Sequence, residues 1–304
     1  MIYKSITDTI GCTPLVRINN TDENMAEILV KLESFNPGGS VKDRPAFYMV
    51  LDAENKGILN KGDTIIEATS GNMGIALSMI GAARGYRVII VMPDTMSVER
   101  RRIMAAYGAE LILTKGESGM QGSVIKANEL AKENNYFMTG QFSNEANVLS
   151  HIETTAKEIL DDTEGKIDAF VTGVGTGGTI SGVSKILKEY NKNILTVAVQ
   201  PSKSPVLTGG APSGHGIQGL GANFVPDIYK ADVVDEIIDM DDKTAYEYAR
   251  ELGKNEGILS GISSGANFAG AVQIAKRLGK GKRVVTLLPD TGERYLSTEL
   301  FAQE

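Results

Sequence analysis

Short apolar runs of strand length alternate along the chain with longer stretches in which apolar residues recur at helical spacing. The runs are ILVKL, TIIEA, RVIIVM and ELIL in the first half, then AFVTG, LTVAVQ and RVVTLL in the second. Strands spaced by helices pair in parallel, because a parallel partner is reached only through a long crossover. The pattern predicts an α/β fold with mostly parallel sheets. Gly57, Gly85 and Gly108 each follow a helical stretch and suit the left-handed residue that closes a helix.

At 304 residues the chain exceeds the size at which one hydrophobic core stops growing, so two domains are expected. The polar stretch QFSNEAN precedes a helical stretch from Val148 to Leu160, which sets the expected domains at 1–145 and 146–304, each with its own sheet. The segment from Ser202 to Gly221, rich in Gly, Pro and Ser, reads as a long loop of the kind that serves function. No repeat of solenoid period and no low-complexity tail is present.

The sharpest local signal is GVGTGGT, Gly173 to Thr179, directly after AFVT and before TISGVSKILKEY. Successive glycines let backbone N–H groups converge at a helix N-terminus, where the dipole favours an anion such as phosphate. The plain alternative is a tight turn without a ligand. Gly173, Gly175 and Gly178 also fit a dinucleotide fingerprint, which keeps an NAD-dependent oxidoreductase as the reading from another class. That fingerprint expects an acidic residue about 20 positions on, yet the next strand ends in Gln200. A Gly-Lys-Ser/Thr ending is missing too, so a mononucleotide-sized phosphate fits better.

GISSG, Gly261 to Gly265, has the spacing of a hydrolase nucleophile elbow on Ser263, but that fold places its histidine after the nucleophile. Both histidines, His151 and His215, precede Ser263, so a helix-capping serine is the simpler local reading. FNPGGSVKDR puts Lys42 between a Pro-Gly-Gly turn and the helical AFYMVLDAENK. Such a lysine is either a solvated charge or a desolvated amine able to form a Schiff base. TSGNMG, Thr69 to Gly74, is again strand, turn and helix, and is either a capped turn or a cradle for a carboxylate.

Composition narrows these options. Apolar residues make up 42% and charged residues 23%, which is ordinary for a globular protein. The net charge is −7 with Lys and Arg scattered, so nucleic acid is not an expected partner. Lys4 and Asp8 interrupt the apolar residues of the start, and no later run approaches a membrane span, so a cytoplasmic address and no membrane partner are expected. One cysteine, Cys12, and two histidines assemble neither a disulfide nor a zinc cluster, and no metal is expected.

Taken together, NPGGSVKDR, TSGNMG, GVGTGGT, GISSG and PDTGERYLST, in this order and at these separations, closely resemble the cysteine synthase and cystathionine β-synthase family. The likeness runs from TIGCTPLVRI to GERYLSTELF. It implies a fold like the tryptophan synthase β-subunit, in which two three-layer α/β domains hold pyridoxal 5'-phosphate in the cleft between them, usually in a homodimer. By this resemblance Lys42 holds the cofactor as an internal aldimine and later moves the α-proton, and Asn72 binds the ring hydroxyl oxygen. Gly175, Thr176, Gly177, Gly178 and Thr179 cradle the phosphate, and Ser263 meets the pyridine nitrogen. Thr69, Ser70, Gly71, Met73 and Gln141 form the substrate site, with the carboxylate as its anchor.

The chemistry implied is β-replacement through an α-aminoacrylate, first as cysteine synthesis from O-acetylserine and sulfide. A serine at the pyridine nitrogen makes a milder electron sink than an aspartate, which suits elimination over transamination. The alternative is the same chemistry on cysteine or serine, releasing hydrogen sulfide and forming serine, lanthionine or cystathionine. A partner-binding relative without activity fits poorly with an intact Lys42 and phosphate loop. Departures from the family pattern are Met73, where a threonine is typical, Gly216 for lysine, and Ala222-Asn223 for Ala-Gly. Asp232 is acidic where relatives tend to be neutral or basic, and reads either as a solvated carboxylate or as a general base for water or a thiol.

Overall fold

The computed structural model describes residues 2–19 and 22–302. The principal elements in chain order are β1 (Leu15–Arg17), β2 (Glu27–Leu32), α1 (Asp43–Asn55), β3 (Thr64–Ala68), α2 (Asn72–Arg84), β4 (Arg87–Pro93), α3 (Val98–Ala106), β5 (Glu110–Thr114), α4 (Gly119–Asn134), β6 (Phe137–Met138) and α5 (Glu145–Ser150). A π-helical turn, His151–Thr155, leads into α6 (Ala156–Asp162), β7 (Ala169–Gly173), α7 (Gly178–Tyr190), β8 (Leu195–Pro201), β9 (Glu236–Met240), α8 (Asp242–Glu256), α9 (Ile262–Leu278) and β10 (Arg283–Leu288). The chain divides into two compact units, Met1–Ile10 with Asn36–Asn147, and Gly11–Phe35 with Val148–Glu304.

Among the described residues the first unit holds a four-stranded parallel sheet in the order β5-β4-β3-β6. Val88, Ile90 and Met92 of β4 pack with residues of α1, α2 and α3, whereas Ile89 and Val91 pack with Ala127 of α4. Helices therefore cover both faces, and Val88 to Met92 is continuously apolar because neither face meets water there. Gly57, Gly85 and Gly108 all take positive φ where their helices end, as expected.

The second unit holds a six-stranded sheet, β1-β2-β10-β7-β8-β9, parallel throughout except that β1 runs antiparallel to β2. Its core joins Val30, Val171, Val199 and Val284 to Ala249 and Leu252 of α8 and Ala266 and Ile274 of α9.

The run ILVKL, placed by the sequence within 1–145, belongs to this second sheet as β2. All six residues Glu27–Leu32 pair in parallel with Arg283–Leu288. Lys31 is fully buried there, with its Nζ 2.9 Å from Glu158 Oε2 and 2.9 Å from the Thr13 carbonyl oxygen. An amine buried this deeply needs a carboxylate beside it, and α6 of the same unit supplies one. The helix expected from Val148 to Leu160 begins earlier, at Glu145, where Asn144 Oδ1 accepts the N–H of Ala146 at 3.0 Å. It is interrupted at His151–Thr155 by the π turn, a distortion frequent at functional sites.

Candidate active site

Some helix starts in this protein are capped by side chains. Ser97 Oγ accepts the N–H of Arg100 at 3.3 Å to start α3, and Asp241 Oδ1 accepts that of Thr244 at 2.9 Å to start α8. The helices that follow the four sequence motifs differ. α1, α2, α7 and α9 begin at Lys42, Gly71, Gly177 and Gly261 without a side-chain cap, a feature they share with α4. A glycine cap leaves first-turn N–H groups to a different acceptor. Ser263 is accordingly not the cap of α9, as its local sequence suggested, but the second residue of the helix.

In the second unit the glycine loop follows β7. Gly177 has φ +88°, a left-handed conformation, and a Cβ there would lie 3.0 Å from the Cβ of Tyr229. At Gly175 a Cβ would run into the carbonyl oxygen of Gly219. The loop's start is pinned by Asn267 of α9, whose Oδ1 accepts the Gly173 N–H at 2.7 Å while its Nδ2 donates to the Leu287 carbonyl at 2.9 Å. The loop's end is held by His151, whose Nε2 lies 3.2 Å from Thr179 Oγ1 and whose Nδ1 lies 2.9 Å from Thr155 Oγ1. The π turn thus carries the histidine to the glycine loop.

The long loop after β8 packs against the same place. Gly221 donates its N–H to the Val174 carbonyl at 2.9 Å, and Gly219 faces Ser263, so that a Cβ on it would sit 3.4 Å from Ser263 Oγ. The second unit therefore brings the glycine loop, the 217–221 segment and Ser263 together. The departures in this loop are built in: Gly216 donates to Asp242 Oδ1 at 2.9 Å, and Asn223, at φ +65°, accepts from Ser204 Oγ at 2.8 Å.

In the first unit, Lys42 is half-buried at the head of α1, with its backbone N–H donated to Ser40 Oγ at 3.2 Å. The preceding turn is shaped by Asp43, whose Oδ2 accepts the Gly38 N–H at 2.5 Å. TSGNMG forms the turn from β3 into α2. Thr69 is buried, its N–H bonds the Val91 carbonyl at 3.1 Å, and its hydroxyl accepts the Gly71 N–H at 3.3 Å. Ser70, Gly71 and Asn72 are half-buried, and a Cβ at Gly71 would meet nothing within 4 Å. Met73 is 1% exposed in the core cluster, so its side chain turns away from the loop and only its backbone can serve a ligand.

Gln141 is buried, and its Nε2 donates to Glu67 Oε1 at 3.4 Å. Glu67, the penultimate residue of β3, also accepts from Thr139 Oγ1 at 2.6 Å. Burial drives its carboxyl above the usual carboxylate range, against hydrogen bonds from the Thr139 hydroxyl, the backbone N–H groups of Thr139 and Gly140, and the Gln141 amide that pull it down. Asp232 lies exposed in a 3₁₀ turn, Ala231–Val233, after β8.

Sequence reasoning missed Glu67, His151, Asn267 and Gly219. The Glu in TIIEATSGN was the one visible anomaly, a charge inside a strand with two covered faces. The others act through contacts between segments distant in sequence.

Within the second unit the donor set fits a phosphorylated group: an uncapped helix start with closely approached glycines for the phosphate and a buried serine beside that loop; the first unit separately offers an amine at the head of α1. Comparison with known proteins agrees. The family described as pyridoxal-phosphate dependent enzyme matches residues 6–290. A cysteine synthase of Staphylococcus aureus (strain Mu50 / ATCC 700699) is 54% identical over 300 residues, covering 98% of this chain and 97% of that protein. The crystal structure of a cysteine synthase from Entamoeba histolytica superposes with a TM-score of 0.97 at 48% identity, covering 100% of this chain and 92% of that one. A hydrogen sulfide-producing enzyme from Fusobacterium nucleatum superposes with a TM-score of 0.94 at 48% identity, covering 97% of this chain and 99% of that one.

Proposed function

Because the chain belongs to the family of pyridoxal-phosphate dependent enzymes, we propose that it makes cysteine and acetate from O-acetylserine and sulfide by replacing the substituent on the β-carbon. The observation that carries this reading is the 54% identity to a cysteine synthase across 98% of the chain, with every motif loop present.

When bound, pyridoxal phosphate supplies an electron sink for the pair left as the α-proton departs. Gly175, Thr176, Gly177, Gly178 and Thr179 would hold its phosphate, Asn72 its ring hydroxyl and Ser263 its ring nitrogen. Lys42 would bind its carbonyl carbon at rest. Once released by the substrate, the Lys42 amine takes the α-proton and returns it to the same carbon after sulfide has added. Thr69, Ser70, Gly71 and the backbone of Met73 would donate hydrogen bonds to the substrate carboxylate, joined by the Gln141 amide. An anion at the start of α2 also meets the positive end of that helix.

A second reading uses cysteine as the β-donor, with hydrogen sulfide released. The likeness to a hydrogen sulfide-producing enzyme favours it. In this reading Asp232 acts as general base for the incoming water or thiol, and Asp232→Asn would lower sulfide release from cysteine while sparing synthesis; unchanged product ratios would remove the role. Quantifying cysteine made from O-acetylserine and sulfide against sulfide released from cysteine decides between the two directions.

Among the described residues no helix is long and apolar enough to cross a membrane. We further assign the protein to the cytoplasm and to a homodimer, the latter checked by the mass from light scattering.

A further inference from the structure

A glutamate in the middle of a covered strand is costly, since an apolar side chain of similar volume would avoid the desolvation. Glu67 stands between Ile66, fully buried, and Ala68, and is itself 5% exposed. All of its hydrogen-bond donors come from one place, the turn at 139–141: the Thr139 hydroxyl at 2.6 Å, the backbone N–H groups of Thr139 and Gly140, and Gln141 Nε2 at 3.4 Å. Gln141 is held at its other end as well, since its carbonyl accepts from Asn147 Nδ2 at 2.8 Å. The turn is tied again by Asn144 Nδ2, which donates to the Thr139 carbonyl at 2.9 Å.

A primary amide can rotate to present either its oxygen or its nitrogen, and only the nitrogen attracts a carboxylate. When ionised, Glu67 only accepts hydrogen bonds and so permits one of these orientations. With one N–H of Gln141 given to Glu67 Oε1, an anion would be met by the other N–H of the same nitrogen.

We propose that Glu67 is a positioning residue for capture of the substrate's carboxylate, acting through the side-chain amide of Gln141; this rests on the assignment of Gln141 to the substrate site. Glu67 touches neither substrate nor cofactor. It fixes which atom of Gln141 the substrate meets, and its influence falls on binding more than on the chemical step.

The test is a double-mutant cycle of Glu67→Gln and Gln141→Ala on the cofactor-loaded enzyme. Two quantities are read: the affinity for L-alanine, which has the carboxylate but no leaving group, measured by calorimetry, and KM and kcat for O-acetylserine. Glu67→Gln is expected to weaken L-alanine binding by about tenfold, the size of one charge-assisted hydrogen bond, and to raise KM in proportion. With binding lost and chemistry kept, kcat should stay within about twofold. In the Gln141→Ala background the same substitution should change neither quantity.

Glu67→Gln leaving L-alanine affinity intact while Gln141→Ala weakens it would overturn the proposal, as would two effects that simply multiply. If Gln141→Ala alone leaves the affinity unchanged, the Gln141 assignment fails and this proposal with it, while a retained visible cofactor band leaves the rest of the functional reading standing. Should Glu67→Gln not fold, Glu67→Asp, which keeps the carboxylate but withdraws it by one methylene, enters the same cycle with the same expectations.

Discussion

The two glycine turns that start α7 and α2 are built to opposite plans. The glycine loop before α7 is crowded: Gly175 abuts the Gly219 carbonyl, Gly177 lies against Tyr229, Asn267 fixes Gly173, and His151 meets Thr179. The TSGNMG turn is open on one side, with no atom within 4 Å of where a Cβ on Gly71 would stand. A ligand group that stays through every turnover is best met by a cradle whose shape is fixed. A substrate that enters and leaves needs free space before the same kind of helix start. If the proposed assignment of cofactor and substrate holds, the difference between them is expressed in how tightly the backbone is surrounded, not in the residue type, which is glycine in both.

The strongest way to break this comparison is to add one methyl group to each turn. Gly175→Ala should weaken pyridoxal phosphate affinity by about 100-fold, the upper end of an overpacking penalty against backbone. Fluorescence titration of the cofactor-free protein measures it. Asn267→Ala comes next. It strands the Gly173 N–H and the Leu287 carbonyl in the interior and should cost about 2 kcal/mol of stability in urea unfolding, with a parallel loss of cofactor affinity. Gly71→Ala should leave cofactor affinity and stability unchanged, since φ is −117° and the space is open, but raise KM for O-acetylserine by about tenfold as the methyl takes up substrate room. Equal loss of cofactor in Gly175→Ala and Gly71→Ala would erase the distinction.

The smallest effect concerns the far ends of the helices that carry Lys42 and Gly71. Glu54 of α1 pairs with Arg84 of α2, whose Nε donates at 2.8 Å, and accepts from Tyr86 at 2.5 Å. Burial works to raise the Glu54 pKa, but the bonds from Arg84 and Tyr86 outweigh it and hold the carboxyl below its usual value of 4.5, while the Tyr86 hydroxyl is pushed up to about 12, chiefly by burial. For an acid lowered in the folded state, the stabilisation is present above the ordinary Glu range and is lost as pH falls through the depressed value. Glu54→Gln should therefore cost about 0.5–1 kcal/mol near neutrality, and thermal melts should show the gap to the parent closing as the solution becomes strongly acidic.

Much of the fold was legible because strands covered on both faces are mostly apolar, as in the VIIVM of β4, while Glu67 in TIIEA and Thr286 in RVVTLL are the polar exceptions. The segment carrying β2 was misplaced because ILVKL carries no mark of its partner: Glu27–Leu32 meets Arg283–Leu288 at the other end of the chain. β6 and β1, two and three residues long, are too short for a periodic signal. At the site, Lys42, Gly175 and Ser263 stood out through motif resemblance. Met73 was legible as a departure but not as a core residue, since a methionine in a turn motif does not declare which way it faces. His151 was hidden because its role depends on a π turn that aims it at Thr179.

The central claim is that Lys42 carries pyridoxal phosphate. Borohydride reduction of the cofactor-loaded protein, followed by proteolysis and mass spectrometry, locates the pyridoxyl group directly. The account predicts it on the peptide containing Ser40 to Arg44, at Lys42, and absent from Lys42→Ala. A pyridoxyl group on another lysine, or none on protein that has taken up the cofactor, would contradict it.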